Sequence, residues 1–164
     1  MSSFAPTEQH LAITARRYPK FPRQAATVVR LIRHLQRRLH DQANAALKPW
    51  GINHPQYNLL MMMYGTDGYA LNPSQLAEAA CEKSANITRL TNELCGMGLI
   101  ERGAAEDDRR KVTLRLTAAG LALIEAYLPD VRALLRRQSA GLEASELAQL
   151  QRLLKRLLDN LDAA

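Results

Sequence analysis

The sequence predicts a mainly α-helical fold carrying a small β-wing. Three observations lead there. Residues 72–98, NPSQLAEAACEKSANITRLTNELCGMG, hold two short helical patterns joined by a tight connection. Two short apolar runs follow, Leu99-Ile100 and Val112–Leu116, on either side of the charged segment GAAEDDRRK. Long leucine-bearing patterns of helical period stand before and after this block. The order is that of a winged helix-turn-helix domain between N- and C-terminal helical regions that would serve for dimerisation.

Residues 1–22 carry prolines at 6, 19 and 22 and read as an arm with one short helix over Glu8–Arg17. From Arg23 to Leu47 a long helix is predicted, because Leu31, Leu35 and Leu39 repeat at i, i+4 and i+8 with Val28 and Ile32 alongside. Pro49 and Gly51 stop it. Asn53 is placed to cap a helix from His54 to Tyr64, with Pro55 in its first turn and Tyr57, Leu60, Met61 and Tyr64 on its inner face. Gly65 to Gly68 breaks that helix, and Tyr69–Leu71 has the length of a short first strand.

The first helix of the central block has a clear start. Asn72 can cap, Pro73 suits the first helical position, and Gln75 completes a capping box. Cys81-Glu82-Lys83 forms the turn, and Ser84 is the expected cap of the second helix, which Gly98 ends. Ile87, Leu90 and Leu94 fall on one face of that helix. The opposite face presents Ala85, Arg89, Asn92 and Gly96, with Asn86 and Thr88 beside it. Small residues, amides, a hydroxyl and an arginine are the groups that read base edges in a major groove. Val112–Leu116 alternates like a half-buried strand, and Arg109, Arg110 and Lys111 at the preceding loop suit a narrow, electronegative minor groove.

Beyond the wing, Thr117 is the expected cap of a helix from Ala118 to about Ala140, with Leu121, Ile124, Leu128, Val131 and Leu135 as its stripe and Pro129 interrupting it. A last helix, about Glu143 to Leu161, repeats leucine at 147, 150, 154, 157 and 161. Leu153 and Leu158 widen the stripe to nearly two faces. One face can fold back on its own chain and the second needs a partner, so a homodimer is expected. The expected organisation is residues 1–50 as arm and first dimerisation helix, 51–117 as DNA-binding lobe, and 118–164 as C-terminal dimerisation helices.

The chain has 164 residues, a net charge of +6 and 47% hydrophobic residues, which fits one globular domain with a polyanionic partner. No stretch reaches the roughly 18 apolar residues that span a bilayer, so no membrane role is expected and the cytoplasm is the expected compartment. Nucleotide-binding glycine motifs and HExxH are absent, and the four histidines are scattered. Neither an enzyme, a cofactor nor a metal site is therefore expected. Cys81 and Cys95 lack zinc-ligand spacing and do not make a disulfide framework; a redox trigger through them stands as an alternative.

The run KSANITRLTNEL, followed by GLIER and DDRRKVTLRLTAAG, resembles the MarR family of winged-helix transcriptional regulators, and the resemblance extends along nearly the whole chain. The N-terminal SSFAPTEQHL and the PWGINHPQYNLLMMMY segment look like its multidrug-efflux-repressor branch. The resemblance implies a homodimer on double-stranded DNA with a palindromic operator, each second helix in a major groove and each wing in the adjoining minor groove. By position it assigns DNA contacts to Thr88 and Arg89 on the helix and to Arg110 on the wing. Ser84, Ala85, Asn86, Asn92, Arg109 and Lys111 complete the DNA-binding set read from the residues. Cys81 stands where the family usually has a glycine, so the turn departs from its pattern. The resemblance also implies a small aromatic effector, phenolic or carboxylate, bound between the dimerising helices and the reading lobe, with release of a repressor from its operator. Arg30 and His34, one turn apart, with Trp50, Tyr57 and Met61, are the ligand-binding candidates. A constitutive regulator without effector is the remaining alternative.

Overall fold

The computed structural model of the chain describes residues 3–80, 83–104 and 112–163. Among these residues the elements run α1 (Ala5–Arg17), α2 (Arg23–Leu47), α3 (His54–Tyr64), β1 (Ala70–Leu71), α4 (Pro73–Ala80), α5 (Ser84–Gly96), β2 (Ile100–Ala104), β3 (Val112–Leu116), α6 (Ala118–Gln138) and α7 (Ala144–Asp162). Two compact units result, Met1–Leu128 and Pro129–Ala164. Their boundary falls within α6 at Pro129, the residue that cannot donate to the helical ladder.

In the first unit α1 lies along α2, and α3, α4 and α5 pack on one another beside the sheet. Leu60, Met63, Leu76, Leu90, Leu94 and Ile124 are fully buried in its core. The sheet order is β1-β3-β2, antiparallel throughout, with Ala70 opposite Arg115 and Ile100 opposite Leu116. The last strand in sequence is thus the central one, and it ties the reading helices to the segment that precedes them.

Local chemistry sets the helix ends. Asn72 and Gln75 exchange reciprocal backbone–side-chain bonds of 2.8 and 3.0 Å, the capping box expected for α4. Asn53 and Gln56 make the same box for α3. The Thr117 hydroxyl accepts the Gly120 N–H at 3.0 Å and donates to the Gly98 carbonyl at 2.7 Å, so the start of α6 is fastened to the exit of α5.

Several expectations shift. α1 begins at Ala5, three residues before the predicted Glu8, because Phe4 is buried with Leu11 and holds the chain down there. The buried side of α3 is Gln56, Leu59, Leu60 and Met63, while Tyr57, Met61 and Tyr64 are half-buried at its edge. On α6 the buried line is Ile124, Tyr127, Val131 and Leu134, and Leu135 is 57% exposed. Ile124 and Val131 of the expected stripe are on this line, while Tyr127 and Leu134 take the places expected for Leu128 and Leu135. The second unit contains α7, which has no buried residue: Leu147, Leu150, Leu153, Leu154, Leu158 and Leu161 are all exposed.

Candidate nucleic-acid interface

α5 is fixed at its base and open on its outer face. Ile87, Leu90, Thr91 and Leu94 are buried. At its end the Gly98 N–H bonds the Cys95 carbonyl at 2.9 Å and the Leu99 N–H bonds the Leu94 carbonyl at 3.0 Å, with Gly98 at φ +70°. This is a Schellman stop, and it needs the left-handed residue that glycine supplies. The helix start differs from expectation. Ser84 is the first helical residue, and Lys83, with extended backbone, occupies the cap position without a side-chain cap bond.

Ala85, Thr88, Arg89 and Asn92 are exposed on one side of α5, Ser84 is exposed at its head, and Asn86 is half-buried. The side chains of Asn86, Thr88, Arg89 and Asn92 are already engaged within the protein. Arg89 Nη1 pairs with Glu93 Oε1, and Nη2 donates to Asn86 Oδ1 at 2.9 Å. Glu93 Oε2 accepts from Gln56 Nε2 on α3 at 3.0 Å. From β2, Arg102 donates to Asn92 Oδ1 and, at 3.2 Å, to the buried Thr91 hydroxyl. The Thr88 hydroxyl donates to the Ser84 carbonyl at 3.0 Å, and a hydroxyl that donates still has lone pairs with which to accept. Arg109, Arg110 and Lys111 lie outside the described residues, as do Cys81 and Glu82 of the turn. Cys95 is a half-buried free thiol on α5.

Sequence reasoning missed Glu93, Gln56 and Arg102. The Arg89–Glu93 spacing of four was a readable signal. Nothing in the spacing of Gln56 or Arg102 announces their partners, which are 37 and 10 residues away in the chain.

The ligand candidates lie on α2, on the short turn after it and on α3. Arg30 is exposed on α2. His34 shares a 2.9 Å bond with Ser3 Oγ and meets the Phe4 ring edge-on. Trp50 is half-buried in the short 3-10 turn after α2. Tyr57 stacks on His54 and meets Tyr127 edge-on at 5.6 Å, and half-buried Met61 follows one turn on. Around Tyr57 the fold therefore gathers His40, His54 and Tyr127, none of which the sequence singled out for this role. His40 and His54 share a 3.1 Å Nδ1–Nδ1 hydrogen bond, and the His54 N–H donates to Asn44 Oδ1. Burial, and secondarily the neighbouring His40, lowers the His54 pKa. Burial raises that of Tyr57. Burial first, then Tyr57 and Tyr64, raises that of Tyr127. The Tyr127 hydroxyl is fully buried and has no hydrogen-bond partner among the described residues.

The profile of the MarR family matches residues 52–112, the span from the start of α3 into β3. The transcriptional repressor MprA of Escherichia coli is 34% identical over 161 residues, covering 98% of this chain and 92% of that protein. A cysteine-to-serine mutant of MarR from Escherichia coli, solved in complex with operator DNA, superposes with a TM-score of 0.75 at 26% identity, covering 82% of this chain and 96% of that one. AbsC, a MarR family transcriptional regulator from Streptomyces coelicolor, gives a TM-score of 0.77 at 25% identity, covering 87% and 95%. The fold is shared with the two solved structures over more than four-fifths of the chain and the sequence with the repressor MprA over nearly all of it: the chain belongs to the MarR family of winged helix-turn-helix transcriptional regulators.

Proposed function

We propose that the chain is a homodimeric, sequence-specific DNA-binding repressor, released from a palindromic operator by a small aromatic ligand. The observation that carries the DNA arm is the open face of α5, where Arg89, Asn92 and Thr88 stand outward on a helix whose other side is locked into the core. Arg89 and Asn92 are the base-reading candidates and Ser84, Ala85, Asn86 and Thr88 their neighbours. Arg109, Arg110 and Lys111 would take the adjoining minor groove. A partner is supported by apolar faces that the single chain leaves in water: Leu31, Leu35 and Leu39 on α2, and the leucines of α7. Two copies related by a two-fold axis would read half-sites about one helical turn apart. Among the described residues no helix is long and apolar enough to cross a membrane, and the cytoplasm is the compartment this reading assigns.

The effector arm rests on the Tyr57–Tyr127 region. A fully buried hydroxyl with no partner forfeits about 1–3 kcal/mol, which a ligand offering an acceptor would recover. Arg30, His34, Trp50, Tyr57 and Met61 remain the proposed ligand contacts. Such a ligand acts by its differential affinity for the DNA-competent and DNA-incompetent arrangements.

Selection of bound duplexes from a random pool, with and without aromatic acids and phenols, tests both arms. A palindromic site is expected, with binding weakened about 5- to 150-fold by Arg89→Ala. Failure to enrich any site would refute the DNA arm. Enrichment indifferent to every compound would leave a constitutive repressor.

A further inference from the structure

We infer that Glu93 is a positioning residue for base reading. Anchored to α3 by Gln56, it sets the direction in which Arg89 leaves α5 and so the base pair that the arginine selects. The inference rests on the DNA-binding reading above.

An arginine on an open helix face has many rotamers, and its guanidinium must be aimed to make two parallel bonds to one base. Arg89 is 56% exposed, yet both of its terminal nitrogens are held, by Glu93 one turn ahead and by Asn86 one turn behind. These bonds use two of its five donors and leave the others to a base edge. The clamp is not confined to α5. The second oxygen of Glu93 accepts from Gln56, which is 7% exposed.

Gln56 is itself fixed at both ends of its amide: the oxygen accepts the Asn53 N–H at 3.0 Å, and the nitrogen donates to Glu93. A flipped amide would set oxygen against carboxylate and nitrogen against a donor, so only one orientation satisfies both neighbours. The bonds run from the cap of α3 through a buried amide to a carboxylate, and from there to the reading guanidinium. An exposed Arg–Glu pair by itself contributes little to stability. Anchoring its carboxylate to a second helix converts the pair into a direction.

The chemistry supplies its own control. Gln56 and Arg89 donate to different oxygens of Glu93, so Glu93→Gln turns one of the two acceptors into an NH2 that faces a donor. Gln56→Glu keeps the capping box but faces two carboxylates. The exchange of both, Gln56→Glu with Glu93→Gln, restores every bond: the new carboxylate accepts from Asn53 and from the new amide, whose oxygen accepts from Arg89. Net charge is unchanged.

The test compares affinity for the best selected duplex with that for the same duplex altered at the base pair whose discrimination disappears in Arg89→Ala. Glu93→Ala and each single exchange are expected to lower that ratio about three- to tenfold, the net worth of one hydrogen bond, with little change on random duplex. The double exchange is expected to return the ratio to within about twofold of wild type, as coupled neighbours do. Without DNA, rotation about the Arg89 Nε–Cζ bond, read by nitrogen NMR, is expected to be slow in wild type and in the double exchange and fast in Glu93→Ala. Circular dichroism verifies that each variant folds. An unchanged ratio in Glu93→Ala, or a double exchange no better than the worse single, overturns the inference while wild type still discriminates and Arg89→Ala still fails. A wild type that does not discriminate overturns the DNA-binding reading as well.

Discussion

Gly120→Ala is expected to be among the most damaging small substitutions in the chain. A β-carbon there would lie 2.1 Å from the Leu99 carbonyl oxygen, where ordinary contact begins at about 3.4 Å. Both sides of the clash are backbone, the first turn of α6 and the entry to β2, so no rotamer change relieves it. Separation by more than about 1 Å would stretch the 3.1 Å Thr117 N–H to Leu99 carbonyl bond and disturb the Schellman bond made by the Leu99 N–H. Two weakened hydrogen bonds cost about 1 kcal/mol each, and forced overpacking adds about 1–3 kcal/mol. The better helix propensity of alanine returns about 1 kcal/mol. A net loss of about 2–4 kcal/mol remains, or about 5–15 °C in Tm for a chain of this length. Thermal unfolding at fixed protein concentration measures it, since dimerisation would make Tm concentration-dependent. Gly96→Ala is the control: no atom lies within 4 Å of its added carbon, and its Tm should stay level or rise. A Gly120→Ala protein melting within about 2 °C of wild type would show that the packing described here is looser than its geometry implies.

Three further outcomes are expected. Leu150 and Leu154 are 47% and 43% exposed, so covering each in a dimer gains about 1 kcal/mol; Leu150→Ser with Leu154→Ser, lost from both copies, should weaken dimerisation roughly 10³-fold in sedimentation, and unchanged association would move the seam elsewhere. The His54 pKa is depressed below 6.5 by burial and by His40, so its contribution to stability is present above pH 6.5 and is lost as pH falls through the folded value. His54→Gln should flatten the decline in urea midpoint between about pH 7 and 5, and an equally steep decline in the variant would exclude His54 as its source. Tyr127→Phe removes an unpartnered buried hydroxyl and should leave Tm unchanged or raise it by a few degrees, while any response to an aromatic effector weakens. A clear fall in Tm would mean that the hydroxyl is bonded in solution.

Where periodicity and caps agreed, the sequence was sufficient. α2 and α3 begin and end where Leu31, Leu35, Leu39, Asn53 and Gly65 place them, and Asn72, Gln75 and Gly98 perform as their residue types require. Which face is buried was less legible. On α3 and α6 the pattern admitted two neighbouring stripes, and packing chose Met63 over Met61 and Leu134 over Leu135. The outward set on α5 could be read from the 100° step, because one side was so clearly apolar. Its restraint could not be read, since Gln56–Glu93 joins two helices and Arg102–Asn92 joins a helix to a strand. The His40–His54–Tyr57–Tyr127 group escaped for the same reason: its members come from α2, α3 and α6 and meet only once the lobe closes.

The central position of β3 bears on how reading helices could be exchanged between relatives. Residues 114 and 115 hold residues 70 and 71, and Arg115 Nη1 donates to the Gly68 carbonyl at 2.6 Å. A graft that starts at Pro73 and ends at Leu116 would leave the host's own first strand to meet a foreign third strand. A transplant that begins ahead of Gly68 and finishes beyond Leu116 carries both halves of that junction in one piece, and is the smallest cassette that arrives with its frame already matched.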